Sequence, residues 1–235
     1  NIEDKTAMLT LDGCSNTGNI KISCKCSLGE SSNCIIAGCI ASYSSEGGNI
    51  VIKNGLVNKG NITVDGENTR NYVSIGGIFG SFGSKVAAPD FSGNLVNTGN
   101  LTFSGKAKAY LRIGGIISVH SGPTISVPMI NTGDITVTGT CDLTSASTQI
   151  GGITAAHANP IVGAQYYGNI KAIGYPNVGM ITGKAYEDAI LVSNSAIGGT
   201  VCRETREETD ASDNIEVIEV VETIDASNVH KFIYG

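Results

Sequence analysis

Four rings recur at one distance from a repeated bend. Tyr43, Phe82, His120 and His157 each stand five residues past the second member of a Gly-Gly or Ala-Gly pair. Stacked in register, they would form a ladder with about 4.8 Å between rungs. Three chemistries fit such a ladder: a His120–His157 metal pair, an aromatic stripe on which a sugar stacks, or a ring column that holds coil on coil. The pair has no third ligand at a neighbouring position, and zinc catalysis generally uses three. The expected order is ring stack first and glycan-binding stripe second, with no metal and no cofactor.

A second set of polar residues opens a motif, Asn-x-Gly-Asn/Asp-apolar-x-apolar. Its copies begin at Asn16, Asn58, Asn97 and Asn131, with a degenerate copy at Tyr167-Gly-Asn-Ile-Lys-Ala172. Buried amides at one turn can bond from coil to coil, so these four Asn are predicted to form a structural turn ladder. Asn19, Asn61, Asn100, Asp134 and Asn169 read as turn residues. One carboxylate among five offers too little charge for calcium.

Catalysis finds little support. Asp65, Asp90, Asp134 and Asp142 occupy different repeat phases and are expected on different faces, as are Arg70 and Arg112. The one dense acidic group, Glu204 to Asp213, lies in a polar stretch. Neither G-x-S-x-G nor H-E-x-x-H occurs. The chain is expected to be non-enzymatic. A polysaccharide lyase or glycoside hydrolase with carboxylates gathered by loops is the alternative.

The elements that must position these residues follow from the repeats. After each Asn motif comes a second pattern: Ile36-Ala-Gly-Cys-Ile40, Ile75-Gly-Gly-Ile78, Ile113-Gly-Gly-Ile116 and Ile150-Gly-Gly-Ile153, with weaker echoes at Val178-Gly-Met-Ile181 and Ile197-Gly-Gly-Thr-Val201. The second Gly falls at 38, 77, 115 and 152, giving steps of 39, 38 and 37 residues. Alternation such as Ile62-Thr-Val64 marks a strand with one buried face. Gly in Asn-x-Gly suits a turn at positive φ, and Gly-Gly suits a tight bend with close backbone approach. A third apolar stretch precedes each Asn, suggesting three strands per repeat joined by loops such as 83–92, 119–127 and 155–166. Such a unit cannot bury its apolar face alone, whereas stacked copies can. A β-sandwich would explain the strands but neither the steady period nor the Gly-Gly bends. The fold expected is all-β: a single-stranded parallel β-helix of five to six coils.

Composition agrees. Of 235 residues, 31 are Gly, 41% are hydrophobic and 15% are charged, with no Trp. The net charge of −6 lacks the basic face that nucleic acid requires. No apolar run reaches the roughly 18 residues of a membrane span. Five of seven Cys (Cys14, Cys24, Cys26, Cys34 and Cys39) lie near the start, without C-x-x-C spacing. Cys24 and Cys26 would share a strand face. The Cys read as small buried hydrophobes, with room for one disulfide. Residues 203–214 read as a solvated loop, and Ile215–Ile224 as a charged capping strand over the open last coil. The division is therefore 1–202 for the β-helix and 203–235 for loop and cap.

The string Leu56-Val-Asn-Lys-Gly-Asn-Ile-Thr-Val-Asp-Gly66, then Ile75-Gly-Gly-Ile-Phe-Gly80, resembles the GLUG-type repeats of bacterial surface proteins. The whole chain is similar to β-helical adhesin-like surface proteins of Bacteroidetes, whose repeats often finish near a segment like Asn228–Gly235. Its copies are longer than the usual repeat, and Ser118 and Ala155 replace Gly80 in the next two. The resemblance implies a non-enzymatic protein exported to the outer-membrane surface or beyond, its leader removed. Host or dietary glycans, or extracellular proteins, are the partners it implies.

Overall fold

The structure, a computed structural model, describes residues 8–23, 33–45, 49–65, 72–84, 90–107, 109–141, 148–186, 191–192, 196–209, 215–225, 228 and 231. Cys24, Cys26, Gly66, Arg70, Asp142 and most of 226–235 lie outside them, and with them the shared-face reading of Cys24 and Cys26.

The chain winds as a parallel β-solenoid. Four sheets run along its length. Sheet A stacks Met8–Asn16, Asn49–Asn58, Leu95–Asn97, Met129–Asn131, Ala164–Tyr166 and Ala196–Ile197, with the short Asp90–Phe91 also paired to Asn49–Asn58. Sheet B stacks Ile20–Ser23, Ile62–Asp65, Leu101–Phe103, Ile135–Val137, Ile170–Ala172 and Thr200–Thr209, and ends on Ile215–Thr223. Sheet C stacks Asn33–Ala37, Tyr72–Gly76, Tyr110–Gly114, Thr148–Gly151 and Val178–Gly179. Sheet D stacks Ile40–Ser45, Phe79–Ser84, Ile117–His120, Thr154–His157 and Thr182–Ala185. Within the solenoid every pairing is parallel and joins equivalent repeat positions, as Ile62, Leu101, Ile135 and Ile170 show.

Each coil thus has four principal strands where three were expected. The Gly-Gly bend divides one apolar run into a sheet C strand and a sheet D strand. Its reason is close approach: a Cβ on Gly77 would lie 2.0 Å from the Gly115 carbonyl oxygen and 2.6 Å from Asn97 Cγ. The same holds at the Asn-x-Gly turn, where positive φ was expected. Gly60, Gly99 and Gly133 are not among the positive-φ residues, yet a Cβ on Gly60 would stand 2.0 Å from the Gly18 oxygen. Stacking distance, not dihedral freedom, selects glycine here.

Period-2 alternation sends aliphatic columns inward. Leu56, Leu95, Met129 and Ala164 form one, and Ile78, Ile116, Ile153 and Ile181 another, all buried. Each fully buried aliphatic side chain contributes about 1.5–3 kcal/mol of transfer free energy. Among the described residues no helix is long and apolar enough to cross a membrane.

Three sequence readings need correction. Residues 203–209 are not loop: they continue Thr200–Thr209, which pairs antiparallel with Ile215–Thr223 to make a hairpin. Val201 and Ile224 are buried at its base, while 204–209 are exposed. Ile197-Gly-Gly-Thr-Val201 is not a bend but a worn Asn-x-Gly turn: Ile197 pairs with Tyr166, and a Cβ on Gly199 would meet the Gly168 oxygen at 2.2 Å. The segments 119–127 and 155–166 are largely wound into the column. Val119, His120 and Ala155–His157 belong to sheet D, and buried Ile125 and Ile161 pair across coils.

Candidate functional site

The ring ladder forms in register. Tyr43 pairs with Phe82, Phe82 with His120, and His120 with His157. Ring centroids lie 5.3 Å apart for Tyr43–Phe82 and 5.7 Å for Phe82–His120. Alternation points the ladder inward. Phe82, His120 and His157 are at most 1% exposed, so neither a sugar nor an ion from solvent reaches them without opening a coil.

Hydrogen bonding fixes the proton on each imidazole. His120 Nε2 lies 3.0 Å from the Pro123 carbonyl, which only accepts, so Nε2 carries the hydrogen. Thr182 donates its hydroxyl to the Lys184 carbonyl and therefore accepts from His157 Nδ1 at 3.0 Å. The two lone-pair nitrogens, His120 Nδ1 and His157 Nε2, are buried without partners. Burial lowers the pKa of His120; burial and then the neighbouring His120 lower that of His157 to about 4. Both rings are neutral at pH 7.

The Asn ladder also forms, as one chain of amides. Asn16 Nδ2 donates to Asn58 Oδ1 at 2.8 Å, Asn58 to Asn97 at 2.7 Å, and Asn97 to Asn131 at 2.8 Å. Each of the first three also donates to the carbonyl of its own turn glycine. The fifth coil carries Tyr166 instead, and Asn131 Nδ2 turns to the Gly152 carbonyl at 2.8 Å. Asn58, Asn97 and Asn131 are fully buried. This column organises the turn; its amides face the core.

What does face solvent is the outer side of sheet B. Residues alternate outward along each strand, giving Asn61-Thr63-Asp65, Asn100-Thr102-Ser104 and Asp134-Thr136-Thr138 on successive coils, flanked by Lys21 and Lys171. Thr63, Thr102 and Thr136 are half-buried and in register. Turn amides brace the edge: Asn19 Oδ1 accepts from the Asn61 N–H, Asn61 from Asn100, Asn100 from Asp134 and Asp134 from Asn169, at 2.8–2.9 Å. Hydroxyls thus repeat about every 4.8 Å across coils and about every 7 Å along a strand.

The grid runs into an open cleft of about 280 Å³ on the outer side of sheet B, where its last solenoid strands meet the terminal hairpin. Asp134, Thr136, Lys171, Cys202, Glu219 and Val221 are among its walls, and Lys171 is ion-paired with Glu219. Asp65 and Asp134, expected on different faces, both project from this one. They stand two coils and four residues apart, about 16 Å by strand geometry, well beyond the roughly 5–9.5 Å of a glycosidase carboxylate pair.

Another outward feature escaped the sequence reading. On sheet C, Tyr72 and Tyr110 stack at 4.4 Å with planes 1° apart, beside the Arg112 guanidinium, whose Nε donates to Gln149 Oε1 at 2.9 Å. The signal was present: each Tyr stands three residues before an Ile-Gly-Gly. Among the described residues no three His, Cys, Asp or Glu cluster as a metal site. Compared with protein-family models, curated proteins and solved structures, the chain matches none.

Proposed function

We propose that the protein is a non-enzymatic, adhesin-like binding module displayed outside the cell, whose sheet B face holds a host or dietary glycan or an extracellular protein. The observation that carries this reading is the in-register grid of Asn, Thr, Ser and Asp on a rigid sheet. A chain of sugar rings presents hydroxyls at repeating intervals, and a sheet fixes complementary donors and acceptors without a further ordering cost. The GLUG-like repeats support the same reading.

The competing reading, a polysaccharide lyase or glycoside hydrolase, draws on one feature: Asp134, Lys171 and Glu219 line one cleft. One experiment separates the two. The protein is screened against glycan arrays, matrix proteins and a polysaccharide panel, alongside a variant carrying Thr63→Arg, Thr102→Arg and Thr136→Arg. Saturable binding lost at least about tenfold in the variant, with unchanged circular dichroism, supports the module. No ligand, or binding indifferent to the three substitutions, refutes it. Release of new reducing ends or unsaturated uronates establishes the enzyme.

A further inference from the structure

The first coil differs from the others at two inward positions. In the column Leu56, Leu95, Met129 and Ala164, the first coil carries Cys14, paired with Leu56. In the column Ile78, Ile116, Ile153 and Ile181, it carries Cys39, between Gly38, which bonds to Gly77, and Ile40, which bonds to Ile78. Every other described coil fills both places with non-thiol side chains.

The local geometry brings the two together. The bend holding Cys39 is pressed against the end of sheet A: a Cβ on Gly38 would lie 2.5 Å from Asn58 Cγ, and Cys39 Sγ lies 3.8 Å from the Val57 carbonyl oxygen. Cys14 sits one strand lower on that sheet, two residues before Asn16, whose side chain also points inward to Asn58. Both are free thiols in this structure, Cys14 exposed and Cys39 half-buried, because no described residue covers the first coil.

We propose that Cys14 and Cys39 form a disulfide that ties sheet A to the bend between sheets C and D and closes the first coil. Leu11, Ile20, Ile22 and Ile40 of this coil are only partly buried, as expected of a segment that opens readily. A cross-link at this place stabilises the coil by restricting the opened chain. The oxidant is a disulfide, RSSR. The Cys14 thiolate attacks one of its sulfurs, forming Cys14–S–SR and releasing RS⁻. Cys39, once its proton has passed to solvent base, attacks Cys14 Sγ and releases the second RS⁻. One protein disulfide forms, one RSSR is reduced by two electrons, and two thiol protons leave. Burial raises the pKa of the Cys39 thiol, so closure should accelerate as pH rises from 7 to 9. The inference does not depend on which ligand sheet B binds.

The test equilibrates the whole chain with oxidised glutathione and maps its peptides without reduction. Expected are a Cys14–Cys39 linked pair, two reduced glutathiones released per chain, and cleavage after Lys21 slowed by at least about tenfold. A glutathione adduct persisting on Cys14 beside a free Cys39, or either residue joined to another cysteine, overturns the proposal. Cys14→Leu with Cys39→Ile restores the aliphatic pattern and should keep the far-ultraviolet spectrum while losing the redox response of cleavage. A response that survives in this variant overturns the proposal equally.

Discussion

Replacing Asn97 by Ala tests whether the amide column holds the coils together. Asn97 is fully buried and makes three hydrogen bonds: Nδ2 donates to the Gly99 carbonyl and to Asn131 Oδ1, both at 2.8 Å, and Oδ1 accepts from Asn58 Nδ2 at 2.7 Å. Truncation removes all three. It leaves Asn58 Nδ2 with the Gly60 carbonyl and Asn131 Oδ1 with the Gly133 N–H. At about 0.5–1.5 kcal/mol per bond, with a further penalty for buried groups left short of a partner, the loss comes to about 3–4 kcal/mol. Asn16 is a matched control: it makes the same bonds to Asn58 and Gly18, but at the half-exposed first rung, where water replaces them. Its cost should be about 1 kcal/mol. Guanidinium titrations followed by circular dichroism measure both, with unchanged m-values required for the comparison. An Asn97→Ala cost under about 1 kcal/mol, or no larger than that of Asn16→Ala, would refute the column's role.

Glycine at one motif position should matter only where a coil lies beneath it. Gly60→Ala brings a Cβ within 2.0 Å of a backbone oxygen and should cost several kcal/mol or prevent folding, whereas Gly18→Ala meets nothing closer than 3.6 Å and should fall within about 1 kcal/mol of wild type; thermal melts compare them. Acid should weaken the fold through the histidines. Folded His157 titrates near 4 and an unfolded His near 6.5, so the unfolded chain binds more protons in that window and stability falls as pH drops through it. His157→Phe, which copies Phe82 of the second coil, should flatten the slope of melting temperature against pH between 6.5 and 4; an unchanged slope counts against the buried neutral imidazole. Removing the salt bridge with Lys171→Met should leave the urea midpoint unchanged, because both partners are over two-fifths exposed; a clear shift in that midpoint would contradict this.

The regular parts of the solenoid were legible because each has a local cause that repeats. Ile62-Thr-Val64 and its copies alternate, so their faces and register follow, and Asn16 to Asn131 stack for the same reason. The ring ladder's register was legible too, but its orientation was not: spacing from the bend aligns Phe82, His120 and His157 without telling inside from outside. Glycine's role was misassigned at Asn-x-Gly because a turn dipeptide and a stacking contact leave the same residue in the sequence. Thr200–Thr209 was hidden by its charges. Its strand character comes from pairing with Ile215–Thr223, a tertiary partner that no local propensity records. The sheet B grid was partly visible as Asn, Thr and Asp at alternate positions, yet only coil-on-coil stacking turns three short strings into one surface.

Parallel, in-register stacking is the claim on which the ladders, the grid and the Cys14–Cys39 pairing all rest, and nuclear Overhauser spectroscopy of the isotope-labelled protein addresses it without mutation. The structure gives Thr102 as a neighbour of both Thr63 and Thr136. Backbone contacts linking Thr63 to Thr102 and Thr102 to Thr136, without cross-strand Hα–Hα contacts between them, are the expected result. Strong Hα–Hα contacts pairing Ile62–Asp65 with Tyr72–Gly76 of the same coil, as in an antiparallel sheet, would contradict it.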